Sequence, residues 1–583
     1  MRDPKIVLKQ LSSLKEYQTV NGLFCNLYNP EFYKIAYQNL YSKSSQMIQA
    51  SDGSTIDGMS EERINELIQK LKNGSYKPTP LKKVNIAKKC GKLRKTSIMS
   101  FDDKLIQEII RMLLEALYEP HFSEHSHGFR PKKSCHTALR YVQQKFRGTK
   151  WWIDADIKNY FDSINHTVLL NTLKKRIREQ KFIHLINLFL KAGYIENWRY
   201  DKTYSGVPQG TIIGPILSNI YLDKFDKFVE KIIKDRTKGK RRKENQEYNN
   251  ITSYIHATKN SKHPNKERLR LLRKKQKNTP KYDFKDPNFQ RVSYIRYADD
   301  FIIGTIMTLK ETKEIYQDIQ NFIENELKLS LNEKKTNIFH NRDKIKFLGY
   351  ELSIMKSNER NTINGGVALW VPYEVMKNYI LKNRYGKCYN DKKTGKMKFK
   401  GTHRPELINI DELEILMQYN TKMRGLYNYY KMASNVSKLN NFNYICQLSF
   451  LRTLAAKYKT TCSKLYKNKN YCQKKHIGIT YNDKFYEFFN GPFNVVKTIK
   501  YEKDIDIIEN INKYFTRTSL IQRLEAKRCE FCGDENGPFE VHHVKKLKDL
   551  KGKAPWEKLM ISRKRKTLVL CRNCHHKLHA GKL

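Results

Sequence analysis

Arg296-Tyr297-Ala298-Asp299-Asp300-Phe301 sets two adjacent carboxylates between segments composed like buried strand. Ser293-Tyr294-Ile295 precedes the pair and Phe301-Ile302-Ile303-Gly304 follows it, which predicts a strand, a tight turn and a second strand with both acids at the tip. Like charges held that close repel. A divalent cation removes the penalty, because Mg²⁺ takes hard oxygen ligands and is usually held by one or two carboxylates plus substrate phosphate. Alone, the pair would read as an Asp-Asp turn in an ordinary hairpin. Its surroundings point instead to nucleotidyl transfer.

A third acid lies in Trp151-Trp152-Ile153-Asp154-Ala155-Asp156-Ile157-Lys158-Asn159-Tyr160-Phe161-Asp162, where a strand pattern runs into Asp156 and aromatics follow. Two-metal phosphoryl transfer needs carboxylates from separate strands, converging to clamp the attacking and leaving oxygens, and Asp156 with Asp299 suffices for that. Between the acids come Ser205-Gly206-Val207-Pro208-Gln209-Gly210 and an apolar, helix-like run from Pro215 to Leu222. Glycines flanking Pro208-Gln209 would let the backbone approach a ligand closely, with the Gln209 amide available for base-edge or sugar hydrogen bonds.

In this order the three blocks resemble the palm of a reverse transcriptase, and in detail those encoded inside group II introns. Asp156-Ile157-Lys158 and Tyr297-Ala298-Asp299-Asp300 are similar to that family's palm motifs, and Pro208-Gln209-Gly210 with Leu217-Ser218-Asn219-Ile220-Tyr221-Leu222 to the segment between them. The likeness extends upstream through His127-Gly128-Phe129-Arg130-Pro131 and Gly91-Lys92-Leu93-Arg94. Downstream it continues through Leu331-Asn332-Glu333-Lys334-Lys335-Thr336 and Phe347-Leu348-Gly349-Tyr350. The resemblance implies that Asp156 and Asp299 hold two Mg²⁺ ions with Asp300 in support, and that Phe161 is the wall against the incoming sugar. It also implies Lys92 and Arg94 for the dNTP triphosphate, Gln209 for the nascent base pair, and Lys335 as proton donor to departing pyrophosphate. Where the family reads Arg-Pro-Leu-Gly-Ile, this chain has Arg94-Lys95-Thr96-Ser97-Ile98, without the rigid Pro and the permissive Gly. Asn159 and Thr211 also stand where Gly is common, and Asn tolerates left-handed backbone better than most residues.

Lys and Arg total 112 against 59 acids, a formal net charge of +53 spread along 583 residues. Such a field belongs with a polyanion, since each neutralised phosphate releases counterions. Basic runs alone would suit a solvated face or an anionic membrane surface, but 36 Tyr and 27 Phe interleaved with the cations add stacking surfaces, which favours nucleic acid. The length predicts about three to five domains. No apolar run approaches the roughly 20 residues of a membrane span, so the expectation is a soluble protein with no membrane partner. Residues 1–20 lack an apolar secretory core and, with few Arg and two acids, make a poor transit peptide. Heavy use of Lys, Asn, Ile and Tyr suggests an A/T-rich coding genome. The expectation is therefore a mitochondrial, organelle-encoded protein without an import signal, with plastid or bacterial cytoplasm as alternatives.

Most of the 11 cysteines are scattered, as free thiols of a reducing interior would be. Four are not. Cys529-Glu530-Phe531-Cys532 and Cys571-Arg572-Asn573-Cys574 form two short knuckles whose thiolates suit a tetrahedral structural Zn²⁺. A disulfide pair is the competing reading, which a reducing context disfavours. Val541-His542-His543-Val544 and His575-His576-Lys577-Leu578-His579 bring more imidazoles than the zinc has positions, which implies a second metal centre. The segment resembles the zinc-knuckle form of the HNH nuclease module, a known companion of group II intron reverse transcriptases. That resemblance implies His543 as the general base activating water, His542 and His579 as ligands of one divalent ion (Mg²⁺), and His575 at the middle position, where the family has Asn or His. An imidazole base works near neutrality because its ordinary pKa is about 6.5. A purely structural ribbon that binds DNA without cutting would need no His-His pair on a strand.

Together these parts predict a multidomain α+β protein: right-hand polymerase fingers and palm, a helical thumb (domain X), and a C-terminal zinc-knuckle HNH module of ββα-metal type. Residues 1–135 would be N-terminal extension and fingers, with Ser60 capping a helix that runs into Ile64, Leu67, Ile68 and Leu71. The palm would span 136–360, interrupted at about 231–290 by a Lys/Arg-rich insertion expected to stay disordered until it meets a partner. Residues 361–470 read as helical, with a Tyr stripe at Tyr427, Tyr429 and Tyr430 that spacing alone assigns to a core. By resemblance this is domain X, which binds intron RNA and supports splicing, with Lys457 and Lys459 as phosphate contacts or a solvated helix face. Residues 471–525 would be a DNA-binding linker and 526–583 the endonuclease.

The function implied is that of a group II intron-encoded RNA-directed DNA polymerase, RNA maturase and site-specific DNA endonuclease. Its nuclease would nick double-stranded target DNA, and its polymerase would extend the 3′ hydroxyl as primer along the host intron RNA as template. Two other readings compete. A noncatalytic splicing maturase is opposed by the intact Asp156, Asp299, Asp300 and histidine set; a freestanding HNH endonuclease with a polymerase relic is decided by whether primer extension occurs.

Overall fold

Strands Val292–Tyr297 and Asp300–Thr305 pair antiparallel around the turn Ala298-Asp299, as the apolar segments on either side of the acids predict. Trp151–Asp156 pairs with the second of these and Asn337–His340 lies beyond it, completing a four-stranded antiparallel sheet. The computed structural model describes residues 2–41, 44–87, 93–196, 199–283, 286–356, 365–391, 395, 397–496 and 519–583.

Successive side chains on a strand point to opposite faces, and here both faces are covered, so the strands read as nearly continuous apolar runs. Ile153, Ala155, Tyr294, Phe301 and Ile303 share a core with helices Phe101–Tyr118, Gly214–Arg236 and Leu309–Asn325. Trp152, Ile295 and Ile302 face the other way, into a core built with helices Cys135–Lys145, Glu412–Tyr430 and Leu439–Lys457.

One buried side chain in this sheet is charged. Arg296 is 0% exposed and donates to Asp226 of the Gly214–Arg236 helix through Nε at 2.8 Å and Nη2 at 2.5 Å. Tyr294 donates its hydroxyl to the same carboxylate at 2.6 Å. The remaining guanidinium donors reach Ser126 Oγ at 2.8 Å and the carbonyl of Ala298 at 2.9 Å, so one side chain ties a helix, a loop and the hairpin tip together. Gly128 packs against that tip so closely that a Cβ there would lie 2.3 Å from the Ala298 nitrogen.

At the N-terminus, Ser60 accepts from the Arg63 N–H at 3.2 Å and starts helix Glu61–Lys72, whose Ile64, Leu67, Ile68 and Leu71 are buried as the spacing predicts. Helix Pro30–Tyr41 shares its core with Leu520, Ile521 and Leu524 of helix Ser519–Leu524, so the C-terminal segment packs on the N-terminal one. Beyond it, strands Phe539–His543 and Thr567–Cys571 pair antiparallel and helix Arg572–His579 follows, a ββα unit around a small core of Met560, Leu568 and Leu570.

Two expectations need correcting. The basic insertion is not devoid of structure: helices Gln246–Lys259 and Lys266–Asn278 pair within it, each started by an Asn whose side chain accepts from the backbone two or three residues on. Ile251 is their one buried side chain, so caps and polar contacts such as Gln276 Nε2 to Thr252 Oγ1 at 2.8 Å supply what hydrophobicity does not. Lys457 does not lie on a solvated face: it is half-buried, and its ammonium donates to the carbonyls of Ile408 and Ile410 at 2.9 and 3.0 Å. No helix among the described residues is long and apolar enough to cross a membrane.

Breaking a buried ion pair on one side leaves an uncompensated charge, which typically costs about 3–5 kcal/mol. Asp226→Ala is therefore expected to lower stability by about that much in urea denaturation. A loss under about 1 kcal/mol, the scale of an ordinary surface change, would show that the pair does not hold the hairpin.

Candidate catalytic sites

Strand register brings the predicted acids together. Asp156 is directly opposite Asp300, and Asp299 occupies the turn that precedes Asp300. Ala298 enables that turn with a left-handed φ of 58°. Asp156 is gripped from the other side, where its Oδ2 accepts from Lys335 Nζ at 2.6 Å and from Asn332 Nδ2 at 3.1 Å. Partial desolvation, then the charges of Asp299 and Asp156, push Asp300 up to about 7. Burial, opposed in part by hydrogen bonding, also raises Asp299. Asp154, two residues back along the strand and so on the face of Asp156, is pushed up to about 7 by burial and then by the Asp156 charge. Acids crowded this closely raise one another's charging cost, a penalty that a divalent cation would relieve.

The neighbouring predicted residues are linked through the backbone. Asn159 takes the left-handed conformation (φ 47°) that a Gly would, and so turns the chain from Asp156 into the short helix carrying Phe161. Val207 N–H donates to the Phe161 carbonyl at 2.7 Å, and Ser97 N–H donates to the Gln209 carbonyl at 2.8 Å, which joins the strand Leu93–Ile98 to this loop. Arg94 lies on that strand; Lys92 falls outside the described residues. Gly206 and Gly210 are needed for the chain itself, because Cβ atoms there would lie 2.6 Å from the Asp162 carbonyl oxygen and 2.4 Å from that of Ser97. Phe129, to which sequence reasoning gave no role, sets its ring edge-on to Phe161 at 6.2 Å.

In the ββα unit the thiolates and imidazoles separate as predicted. The Sγ atoms of Cys529, Cys532, Cys571 and Cys574 lie within 4.8 Å of one another, with Cys532 and Cys571 at 3.8 Å, the spacing a tetrahedral ion with bonds of about 2.3 Å requires. Despite burial, backbone N–H donors around Cys529 draw its thiol down to about 7. These cysteines are free, not disulfide-bonded.

His542 from the first strand meets His575 and His579, one helical turn apart, with His542 Nδ1 at 3.3 Å from His575 Nε2 and His579 Nε2 at 3.1 Å from it. Glu540 accepts from His575 Nδ1 at 2.5 Å, the carboxylate support that commonly leaves the other nitrogen free for a metal. The set contains a fourth member with no signal in the sequence: Asp57, 486 residues before His543, reaches His579 Nε2 at 2.8 Å and His542 Nδ1 at 3.1 Å. His543 is buried, and burial pushes it down to about 3, so it is neutral; its Nε2 is 2.7 Å from the Tyr37 hydroxyl.

Carboxylates gathered by strand register in the middle of a strongly basic chain, and imidazoles clustered on a ββα unit near its C-terminal residues, point to an enzyme of nucleic acids. Residues 81–352 match the reverse transcriptases (RNA-dependent DNA polymerases), residues 365–524 the type II intron maturases and residues 529–575 the AI2M/AI1M-like HNH endonucleases. The group II intron-encoded protein LtrA of Lactococcus lactis subsp. cremoris is 38% identical, covering 99% of this chain and 100% of its own length. The putative COX1/OXI3 intron 1 protein of Saccharomyces cerevisiae is 32% identical, over 98% of this chain and 70% of its own. The chain belongs to the family of group II intron-encoded proteins, and it joins reverse-transcriptase, intron-maturase and HNH-endonuclease segments in one polypeptide.

The thiolate geometry carries a prediction. Cys532→Ala or Cys571→Ala should release the ion and unfold the small ββα unit, because metal ligation supplies much of the folding free energy of so small a domain. Metal content per chain and circular dichroism check this; a variant that keeps both would show the cysteines to be ordinary core residues.

Proposed function

We propose that Asp156, Asp299 and Asp300 form the DNA-synthesis centre of a right-hand polymerase. Fingers would lie within about 1–135, palm within 136–360, thumb (domain X) within 361–470, a DNA-binding linker at 471–525 and the HNH module at 526–583. The observation that carries this reading is the register that opposes Asp156 to Asp300 with Asp299 in the intervening turn. When bound, two Mg²⁺ ions would activate the primer 3′ hydroxyl and neutralise charge on the leaving pyrophosphate. Asp156 and Asp299 would hold them, with Asp300 in support. Phe161, braced by Phe129, would exclude the ribose 2′ hydroxyl; Lys92 and Arg94 would meet the dNTP triphosphate and Gln209 the new base pair. Lys335, whose ammonium already rests on Asp156, would protonate the departing pyrophosphate.

For the C-terminal module the proposal is a structural Zn²⁺ on Cys529, Cys532, Cys571 and Cys574. A catalytic divalent ion would sit on His542, His575 and His579, and neutral His543 would take the proton of the attacking water. The nick would leave a 3′ hydroxyl on the target DNA, which the polymerase would extend along the host intron RNA. The net charge of +53 supports duplex DNA and intron RNA as partners. Relatives in yeast COX1 introns support a mitochondrial setting, and the lactococcal relative keeps a bacterial one in play.

Asp299→Ala should abolish Mg²⁺-dependent primer extension on an RNA template while leaving RNA affinity nearly unchanged, because one carboxylate is small beside the sum of phosphate contacts. Near-normal extension would sink the assignment. His543→Ala should keep zinc and lose plasmid nicking by about 10²- to 10⁴-fold, the usual scale for a general base. Wild-type nicking by a zinc-loaded variant would leave the module as a DNA-binding ribbon.

A further inference from the structure

Asp57 belongs to none of the matched segments, since it lies upstream of residue 81, yet its carboxylate sits inside the nuclease histidine cluster. Its oxygens lie 3.1 Å from His542 Nδ1, 3.3 Å from His575 Nε2 and 2.8 Å from His579 Nε2. A tetrahedral ion with bonds of about 2.0–2.1 Å would space its ligands by about 3.3 Å, and one ligand atom from each of the four residues already lies within 4.8 Å of the others. The loop is fitted to the place. Gly58 takes a left-handed φ of 72°, and a Cβ on it would lie 3.5 Å from His575 Cε1. Val541 N–H donates to the Met59 carbonyl at 2.9 Å, and His543 N–H to Asp57 Oδ1 at 2.6 Å. Ion pairs flank the contact, Lys34 with Glu525 at 2.7 Å and Arg572 with Glu62 at 3.1 Å.

An ion held by three imidazoles keeps positions open for water and substrate, and each further protein ligand takes one of them. Here the Asp57 carboxylate faces the three imidazoles where such a position would lie, and His543 Nε2 is engaged by Tyr37, itself 0% exposed. We propose that Asp57 is the fourth protein ligand of the nuclease ion and that, with Tyr37, it holds the endonuclease closed. The carboxylate supplies the hard anionic oxygen that a DNA phosphodiester would otherwise present. Cleavage then requires the N-terminal segment to leave the site, and the incoming phosphate backbone of duplex DNA is the group of matching chemistry to displace it. This rests on the reading of His542, His575 and His579 as ion ligands and of His543 as base.

The test uses full-length, zinc-loaded protein: wild type, Asp57→Ala, Asp57→Asn, His543→Ala and the Asp57→Ala/His543→Ala double variant. Ni²⁺ titrated by calorimetry reads the second metal site, and hydrogen exchange reads docking at the amides of Val541 and His543. The expected result for both Asp57 variants is Ni²⁺ affinity lower by about 10- to 100-fold, the range seen when a metal site loses a supporting group. Exchange at those two amides should be faster, with the Cys529–Cys532 knuckle unchanged. Nicking of a supercoiled plasmid at saturating Mg²⁺ should rise by about tenfold, and the double variant should not nick. Unchanged Ni²⁺ affinity and exchange would overturn the proposal, and so would nicking that falls in the Asp57 variants, which would make Asp57 an aid to cleavage. A double variant that nicks as fast as Asp57→Ala would refute His543 as base and leave the closure to be decided by affinity and exchange.

Discussion

The bidentate pair between Arg296 and Asp226 is the constraint on which the polymerase half depends. A guanidinium with no exposure can persist only if every donor finds an acceptor, and the acceptors it finds belong to three different segments. The carbonyl of Ala298 is one of them, so the turn bearing Asp299 is fixed from beneath by the residue that opens the motif. The repulsion among Asp156, Asp299 and Asp300 would otherwise tend to open that tip. Rigid support from below lets three acids stay together at one point.

The C-terminal unit solves the same problem differently. Its core is small, and its histidines are held by polar partners instead: Glu540 holds His575, Asp57 reaches His542, His575 and His579, and Tyr37 meets His543. Helix Ser519–Leu524 and residue Val541 are buried against the N-terminal helices, which makes the nuclease a neighbour of the first part of the chain, although the two are about as far apart in sequence as this chain allows.

Much of this was readable from residues whose meaning is local. The hairpin, the Ser60 cap and the left-handed Asn159 follow from period, cap chemistry and turn propensity within a few residues. The cysteine and histidine sets follow from spacing. Asp57, Tyr37 and Asp226 did not, because each acts on a partner far away in the chain and none sits in a pattern: a lone Asp before a Gly is what any turn looks like. The tyrosines Tyr429 and Tyr430 are intermediate. Spacing placed them in a core, but only the fold shows their hydroxyls donating to the carbonyls of Leu348 and Gly349 at 2.7 and 3.0 Å. The basic insertion was misread because low hydrophobicity says little about two capped helices that lean on each other.

The sheet with two buried faces bears on how such a chain can change over generations. Trp152, Ile295 and Ile302 sit in the strands that carry or lead into the acids but pack into the core of the helical region matched to intron maturases. A lineage in which the proposed copying centre fell idle could shed Asp156, Asp299 and Asp300 at little cost, and would even relieve a repulsion. It could not shed the strands. The splicing half would keep selecting for the scaffold of an enzyme that no longer works, and the lost activity would remain visible as an intact sheet with an altered tip.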